Sequence, residues 1–175
     1  SGLTQMALST TVGLSVVANI VNTLTLGGST ASLSSTFGTS LADGASAGQA
    51  NTAYWATRTL AASASETLDL AGSLTDPFGV TITFARLKLL VVSAAAANTN
   101  TVLVGGAAAN AVATLFSAVN DVAVVRPGAT LAWIAGSADT TGYAITAGTA
   151  DVLQVANSGA GTPVTYSIIA IGAAT

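Results

Sequence analysis

Apolar and polar residues alternate along the first part of the chain. From Val12 to Leu26 the even positions are mostly apolar, the odd positions mostly carry hydroxyl or amide groups, and the one polar break is Asn22. A period of two residues is typical of a strand with one buried face. A helical reading through Leu14 and Val21 is the alternative, but the Thr and Val content favours a strand.

The next stretch, residues 27–52, is rich in Gly and Ser and has the composition of a linker or loop. We therefore expect an extended N-terminal arm with its linker over residues 1–42 and a β-sandwich domain over residues 43–175. A lone strand is unstable in water, so the arm is expected to add to the sheet or groove of a neighbour. The competing reading is that it completes the sandwich of its own chain.

From residue 53 onward, short apolar or alternating runs are separated by turn residues such as Asp76-Pro77-Phe78-Gly79 and Arg126-Pro127-Gly128. This spacing predicts short strands in an all-β sandwich or a closed sheet. The runs are 53–61, 66–70, 80–92, 101–104, 122–126, 130–134, 143–146, 151–156 and 162–171.

Two segments of this region carry more specific expectations. The Ala-rich stretch 107–119 is the best candidate for one short helix. Between Val80 and Val92 the apolar parity changes, which predicts a β-bulge or a passage from one sheet to the other near Ala85 and Arg86. Trp133 shares its parity with Leu131 and is predicted to lie in the core.

The charge content indicates what kind of protein has this fold. Of 175 residues only 6% are charged, where about 25% is typical, and no charge precedes Asp43. Few charges mean weak repulsion between copies, which suits a protein that lives in a permanent assembly. The alternative is that the abundant Ser, Thr and Asn keep a free monomer soluble.

Charge and hydropathy also argue against two classes of partner. The net charge is −3 and the four cations, Arg58, Arg86, Lys88 and Arg126, are scattered, so nucleic acid is not expected. No run approaches the roughly 20 apolar residues of a spanning helix, so a membrane is not expected either.

The residue types that most enzymes depend on are missing. Histidine and cysteine are absent, so a serine nucleophile would lack its usual base and a thiolate is excluded. Glu66 and Asp69 would point to opposite faces of a strand, which suits neither a glycosidase pair nor a shared metal. Asp139, beside Thr140 and Thr141, is only a faint candidate for calcium. We expect no enzyme activity, no cofactor and no metal.

An interface is the remaining place to look for function. Trp, Tyr and Arg dominate interface hot spots, which makes the adjacent Tyr54, Trp55 and Arg58 candidates, although core packing is an equal possibility for one of the two aromatics. The apolar face of the arm supplies the others. The candidate interface residues are Val12, Leu14, Val16, Ile20, Leu24, Leu26, Tyr54, Trp55 and Arg58.

The order of motifs from Leu41 to Gly172 resembles a family of small virion proteins of tailed phages. The motifs are Leu41-Ala42-Asp43-Gly44, Gly48-Gln49-Ala50-Asn51, Arg58-Thr59-Leu60-Ala61, Asp69-Leu70-Ala71-Gly72, Leu74-Thr75-Asp76, Thr81-Ile82-Thr83-Phe84, Asn98-Thr99-Asn100, Val104-Gly105-Gly106-Ala107-Ala108-Ala109-Asn110, Val125-Arg126-Pro127-Gly128, Gly148-Thr149-Ala150-Asp151 and Val155-Ala156-Asn157-Ser158-Gly159. The match leaves out residues 1–40.

The resemblance implies a capsid decoration or cement protein with a jelly-roll-like antiparallel β-sandwich. It implies location on the capsid surface of the virion, the major capsid protein as partner, and a homo-oligomer, either trimer or dimer; head and tail locations both stay open. The alternative function is a carbohydrate- or receptor-binding module of a tail or cell-surface fibre. Its candidate aromatics are Tyr54, Trp55 and Tyr143.

Overall fold

The computed structural model describes residues 7–174, and for Leu24 only the backbone. This part of the chain is all-β, with no helix and 55% of residues in strands. The strands are β1 (Thr10–Leu24), β2 (Gly27–Asp43), β3 (Gln49–Ala50), β4 (Thr52–Leu60), β5 (Ser65–Asp69), β6 (Arg86–Ala94), β7 (Val102–Gly105), β8 (Val122–Val125), β9 (Thr130–Ile134), β10 (Tyr143–Ala144), β11 (Val152–Asn157) and β12 (Val164–Ala173).

Two antiparallel sheets form a β-sandwich. One has the order β10-β6-β12-β4, with β9 also paired to β6, and the other has the order β5-β11-β7-β8. The chain crosses between these sheets several times, since β4, β6, β9, β10 and β12 lie in one and β5, β7, β8 and β11 in the other. The all-β antiparallel prediction is confirmed, whereas the jelly-roll topology stays a prediction.

The core between the sheets follows the period-two pattern of the strands. In β12, Val164, Tyr166, Ile168 and Ala170 are all buried, while Ile169 on the other parity is exposed. Side chains of both sheets join one buried cluster. Burial of each large aliphatic side chain contributes about 1.5–3 kcal/mol, so this cluster is the main source of stability.

Each of the nine predicted runs overlaps a strand, and one expectation is wrong. Residues 107–119 form turns and bends with one isolated bridge, not a helix. The irregularity expected near Ala85 and Arg86 lies slightly further on, because Ile171 pairs with Leu89 and Gly172 with Leu87. Lys88 is the extra residue, and its side chain is fully buried.

A third sheet lies outside the sandwich. β1 and β2 pair antiparallel along all 15 residues of β1, and the short β3 pairs parallel with the end of β2. The prediction of a strand over Val12–Leu26 is confirmed within about two residues, because β1 ends at Leu24. The prediction of a linker over 27–52 is wrong for Gly27–Asp43, because the Ser and Thr residues there form a strand opposite β1.

Candidate interaction surfaces

The register of the β1–β2 hairpin sorts its side chains into two unlike faces. Residues that lie directly opposite share a face, and so do residues two apart along a strand. The apolar face carries Val12, Leu14, Val16, Ala18 and Ile20 of β1 opposite Thr39, Phe37, Ser35, Leu33 and Ala31 of β2. The hydroxyl face carries mainly Thr, Ser and Asn, together with Val17 and Val21.

The apolar face is exposed over most of its length. Ile20 is 74% exposed, Phe37 59%, Leu14 56% and Leu33 53%, and Leu26 at the tip is fully exposed. Val17 and Val21 on the other face are exposed as well, so within the described residues neither face of the outer hairpin is covered. A two-stranded hairpin is marginal by itself in water, which makes a covering partner energetically favourable.

The base of the hairpin is anchored on the outer face of the five-stranded sheet. Leu41, Ala50, Leu89 and Ile171 form a second buried cluster, and Val12 is among the partly buried residues packed against it. The backbone N–H of Leu8 also donates to the carboxylate of Asp43 at 3.2 Å. The hairpin is therefore fixed to the sandwich at one end only.

Two glycines mark the boundary between the anchored base and the exposed blade, by which we mean residues 14–37. Gly13 lies directly opposite Gly38 in the register. A Cβ on Gly38 would lie 2.6 Å from the carbonyl oxygen of Val12, whereas a Cβ on Gly13 would meet nothing within 4 Å. Close backbone approach therefore requires glycine at position 38 but not at position 13.

The sandwich exposes a second apolar surface around Trp55. Trp55 lies on the outward parity of β4 and is 56% exposed, opposite the exposed Ile169 of β12. Phe78, in the Asp76–Gly79 turn, lies nearby and is 76% exposed. The carboxylate of Asp76 stabilises this turn by accepting the N–H groups of Phe78 and Val80 at 2.9 and 2.8 Å. Trp55 and Phe78 both line a cleft of about 240 Å³.

No protein-family model, curated protein or solved structure matches this chain. The resemblance to phage virion proteins therefore stays a prediction.

Two of the predicted interface residues, Tyr54 and Arg58, take part in a polar network that bridges the sandwich. The Nε of Arg58 on β4 donates to Glu66 Oε2 on β5 at 2.7 Å, and Nη2 forms an ion pair with the same oxygen. Tyr166 donates its hydroxyl to Glu66 Oε1 at 2.8 Å, and the hydroxyl of the buried Tyr54 accepts from Arg58 Nη1 at 3.3 Å. These groups tie the edge of one sheet to the edge of the other.

The electrostatics of this network follow from its burial. Burial disfavours the charged form of Glu66, but hydrogen bonds from Arg58 and Tyr166 together outweigh that effect and hold its pKa below the usual range. Burial, followed by the hydrogen bond to Glu66, raises the pKa of Tyr166. Glu66 is therefore held inside this network, while Asp69 accepts a backbone N–H of its own turn at 2.9 Å.

Two further cations are also used within the fold. The buried Lys88 donates through Nζ to the backbone carbonyl of Asp139, and burial lowers the pKa of Lys88. Arg86 donates to the carbonyl oxygens of Thr140 at 3.0 Å and Ala45 at 3.4 Å. Arg126 is exposed at the end of β8.

The faint calcium candidate is a turn in this structure. The carboxylate of Asp139 accepts the N–H of Gly142 at 3.0 Å and of Thr141 at 2.8 Å, and these bonds lower its pKa. Over residues 7–174 no three acidic side chains converge in the way a metal site requires. The same residues contain no helix long and apolar enough to cross a membrane.

The predicted interface residues thus separate into three groups. Three of them, Leu14, Val16 and Ile20, lie together on the exposed apolar face, and Val12 lies at its base. Leu26 lies at the tip of the hairpin. Leu24 is at the end of β1, and its side chain is outside the described residues. Trp55 lies apart on the sandwich, Tyr54 is buried, and Arg58 is partly exposed and bound to Tyr54 and Glu66.

Residues missed by sequence reasoning complete both surfaces. Leu33 and Phe37 on β2 and Phe78 in the turn are exposed beside the predicted residues. Ala31, Leu33, Phe37 and Leu41 all fall on odd positions, so a period-two signal was present there. The surrounding Ser and Thr gave that segment the composition of a linker.

Proposed function

We propose that this chain is a structural protein of a virus particle, a decoration or cement protein that acts by association and not by catalysis. The observation that carries the proposal is the blade, whose apolar face is exposed and carries no charge over about 35 Å. Large exposed apolar patches are uncommon on soluble monomers, and they mark sites where other proteins bind.

The way in which the hairpin is attached supports the same proposal. A mobile tail would lose much conformational entropy on binding, whereas the hairpin is paired from Thr10 to Leu41 and anchored through Leu41. A preformed, anchored blade presents its side chains at low entropic cost. The uncharged composition of residues 7–42 suits a protein buried permanently among others.

The proposed partner is the major capsid protein, and the proposed location is the outer surface of the capsid. Copies attached at many equivalent lattice positions would link neighbouring capsid subunits and so resist expansion or rupture. Such a role also accounts for a fold in which three of the four cations are engaged internally.

The test is reconstitution on purified particles that lack this protein. We expect the added protein to cosediment with the particles, to saturate at a fixed number of copies per lattice repeat, and to raise the temperature at which the particles release their nucleic acid. Particles that already carry a full complement are the control and should take up none. Absence of binding, or a few copies at the tail only, would contradict decoration of the head.

The cleft beside Trp55 favours a second candidate function, the binding of a carbohydrate. Exposed aromatic rings stack on sugar rings, and the polar residues Asn51, Asp76 and Thr81 also line the cleft. Of the three aromatics predicted for this role only Trp55 is well exposed, since Tyr54 is buried and Tyr143 packs against the core. Saccharide-dependent quenching of tryptophan fluorescence, lost in Trp55→Phe, would support it.

A further inference from the structure

The outer face of the five-stranded sheet is built of rows that run across its strands, and each row takes one residue from β4, β12, β6 and β9. The first row lies under the base of the hairpin and consists of Ala53, Ile171, Leu89 and Ile134. The second row is also apolar, is exposed at three of its four positions, and consists of Trp55, Ile169, Val91 and Ala132. The third row carries hydroxyl groups and consists of Thr57, Ser167, Ser93 and Thr130. The hairpin therefore covers the first row and leaves the second apolar row open.

The strand of the hairpin that lies nearest to the open row is β1. Along β6, Arg86 comes first, then the first row and then the second. Arg86 binds the carbonyl oxygen of Ala45, in the loop after β2, so the β2 side of the hairpin lies toward the Arg86 end of the sheet. Leu8, just before β1, lines the cleft together with Trp55 of the second row. The free edge of β1 therefore faces the space above the second row.

The free edge of β1 can accept one more strand. β1 is the outer strand of its sheet, and its 15 residues include no proline, no charged residue and no bulge, which are the features that usually keep an edge strand from pairing. The two-residue turn makes Leu24 and Gly27 a hydrogen-bonded pair, so the odd residues of β1 direct their N–H and C=O groups outward. A strand added here would rest on the second row as the hairpin base rests on the first.

Continuity with the anchored base decides which strand fits there, because the added strand needs an apolar face in phase with that of β1. In β1 of a second copy this condition is met over the full length. A twofold axis through Val17, perpendicular to the hairpin, pairs the two β1 strands antiparallel, with Thr10 of one copy opposite Leu24 of the other. Even positions then lie opposite even positions, so the apolar faces coincide. The same register brings Leu26 of the second copy to the level of Leu8, beside the cleft.

The tip of the second copy also matches the surface beneath it. With its β1 above the second row, its β2 lies above the hydroxyl groups of the third row. Near the tip, β2 presents only the small residues Gly27 and Ser29 to this side. Asn22, the one polar break in the alternation of β1, lies opposite Ser29 and would meet the same hydroxyl groups. Leu26, fully exposed in the single chain, would lie against Trp55 and take the place that a saccharide has in the second candidate function.

The two sandwiches do not collide in this arrangement. Both lie on the apolar side of the joined sheet, but one is anchored at the level of Thr10 and the other at the level of Leu24. About fourteen residues at about 3.4 Å each separate these levels by about 48 Å. The five-stranded sheet is smaller than that, because its longest strand, β12, has 10 residues and spans about 33 Å. Each hairpin base keeps the contacts that it makes within its own chain.

We propose that two copies of this chain join the free edges of their β1 strands, antiparallel, into a four-stranded sheet in which the tip of each hairpin lies on the sandwich of the other copy. The odd residues from Thr11 to Thr23 of both copies supply about fourteen hydrogen bonds between the chains. This inference rests on the proposed function, because it names the partner of one part of the assembly surface, and it assigns contact with the capsid lattice to other parts. The dimer is isologous, so the same residues of both copies meet across the axis.

Proline substitutions test the edge by sedimentation of the full chain, and the wild type is expected to be a dimer. Val17→Pro removes an outward N–H group at the axis but no bond to β2, and it should weaken dimerisation about 30-fold or more, since both copies lose a central hydrogen bond. Ser34→Pro is the matched control, because Ser34 lies opposite Val17 and directs its N–H group to the other edge of the hairpin. It should leave the dimer intact. Circular dichroism verifies that both variants fold.

A second pair of variants tests the seat of the tip on the sandwich. Ile169→Asp places a carboxylate in the second row, beneath the added strand, and should weaken dimerisation about tenfold or more, because the charge would be buried without a partner. Thr165→Asp is the control, because Thr165 lies on the same face of β12 but beyond the third row. It should dimerise as the wild type does.

Single cysteines identify the register, since the chain has none of its own. Val16→Cys mixed with Ala18→Cys should form a disulfide between chains, because an axis at Val17 places position 16 of one copy opposite position 18 of the other. Each variant alone should form none, because two like positions are then offset along the strands and lie too far apart for a disulfide. A disulfide formed by Val16→Cys with itself would indicate parallel strands and would contradict the inference.

A monomeric wild type, a folded Val17→Pro variant that dimerises normally, or a dimer that Ser34→Pro disrupts would overturn the inference. Particle binding measured on the same samples separates it from the proposed function. A dimer that does not bind particles would contradict the proposed function alone. A monomeric wild type that binds particles would contradict the edge pairing alone, and loss of particle binding in Val17→Pro of such a monomer would identify a strand of the lattice as the occupant of the edge.

Discussion

At the residue scale, the polar network around Glu66 is the most specific interaction in the sandwich. Glu66 is the only glutamate of the chain, and it accepts bonds from Arg58 on β4 of the other sheet and from Tyr166 in the core. A partly buried carboxylate with both oxygens satisfied stabilises the fold, but removal of one member leaves the others without partners. The network therefore fixes how the edges of the two sheets meet.

We predict that Glu66→Gln lowers the free energy of unfolding by about 1–3 kcal/mol at neutral pH, because a charge-assisted pair is lost. The folded pKa of Glu66 lies below its unfolded value of about 4.3, so its contribution is complete above that value and is lost as the pH falls through the folded pKa. Denaturant unfolding from pH 6 to pH 3 should therefore show a steeper decline for the wild type than for Glu66→Gln. Parallel declines would contradict this assignment.

The two tryptophans provide a matched pair for the second prediction. Trp133 donates Nε1–H to the carbonyl of Leu115 at 3.0 Å and packs edge-to-face on Phe116 with ring centroids 5.5 Å apart, whereas Trp55 is exposed. Trp133→Ala should lower the free energy of unfolding by about 3 kcal/mol, and Trp55→Ala by less than about 0.5 kcal/mol. Chemical denaturation measures both, and equal effects would contradict the assigned environments.

From the sequence alone, the alternation along a strand predicts only which face of the sheet each such residue lies on. Trp133 shares its parity with Leu131, and both are partly buried and pack against the core. Parity also assigns Tyr54 and Arg58 to one face, but it cannot reveal that Glu66 lies across the sandwich from them. That contact depends on how two sheets meet, which is set by long-range packing and not by local sequence.

At the element scale, the hairpin shows where composition misleads. Alternation identified β1 correctly, because Val, Leu and Ile stand out against Thr and Ser. β2 has the same alternation in weaker form, and its many serines, with Gly27 and Gly28 at its start, resemble a flexible linker. Pairing with β1 overrides these weak preferences, since strand formation depends on cross-strand neighbours more than on intrinsic propensity.

The paired glycines give the third prediction. Gly38→Ala should destabilise the base of the hairpin, because the new Cβ would lie 2.6 Å from the Val12 carbonyl oxygen, whereas Gly13→Ala should be nearly neutral. Hydrogen exchange of the β1 amides should be faster by at least about tenfold in Gly38→Ala, while the core strands stay protected. Equal exchange in the two variants would indicate that the glycine pair is not a close contact.

At the scale of the whole molecule, most charged side chains form contacts within the fold and do not build a charged surface. Arg58 pairs with Glu66, Lys88 is buried against a carbonyl, and Arg86 binds two loop carbonyls. Most carboxylates whose contacts are described cap backbone N–H groups of turns, as Asp76 and Asp139 do. What the molecule presents to a partner is apolar area on the blade and around Trp55, together with hydroxyl groups.

The last prediction follows from that distribution. Attachment of the protein to its partner should change by less than about threefold between 50 and 500 mM NaCl, because screening acts on exposed charges and three of the four cations are engaged within the fold. Cosedimentation with particles across this salt range measures it. Arg126 is the exposed cation, so Arg126→Ala is the control and should bind as the wild type does. If salt releases the protein steeply, and if Arg126→Ala binds particles more weakly than the wild type does, then an electrostatic contact holds the protein in place. The apolar surfaces would in that case bind another partner.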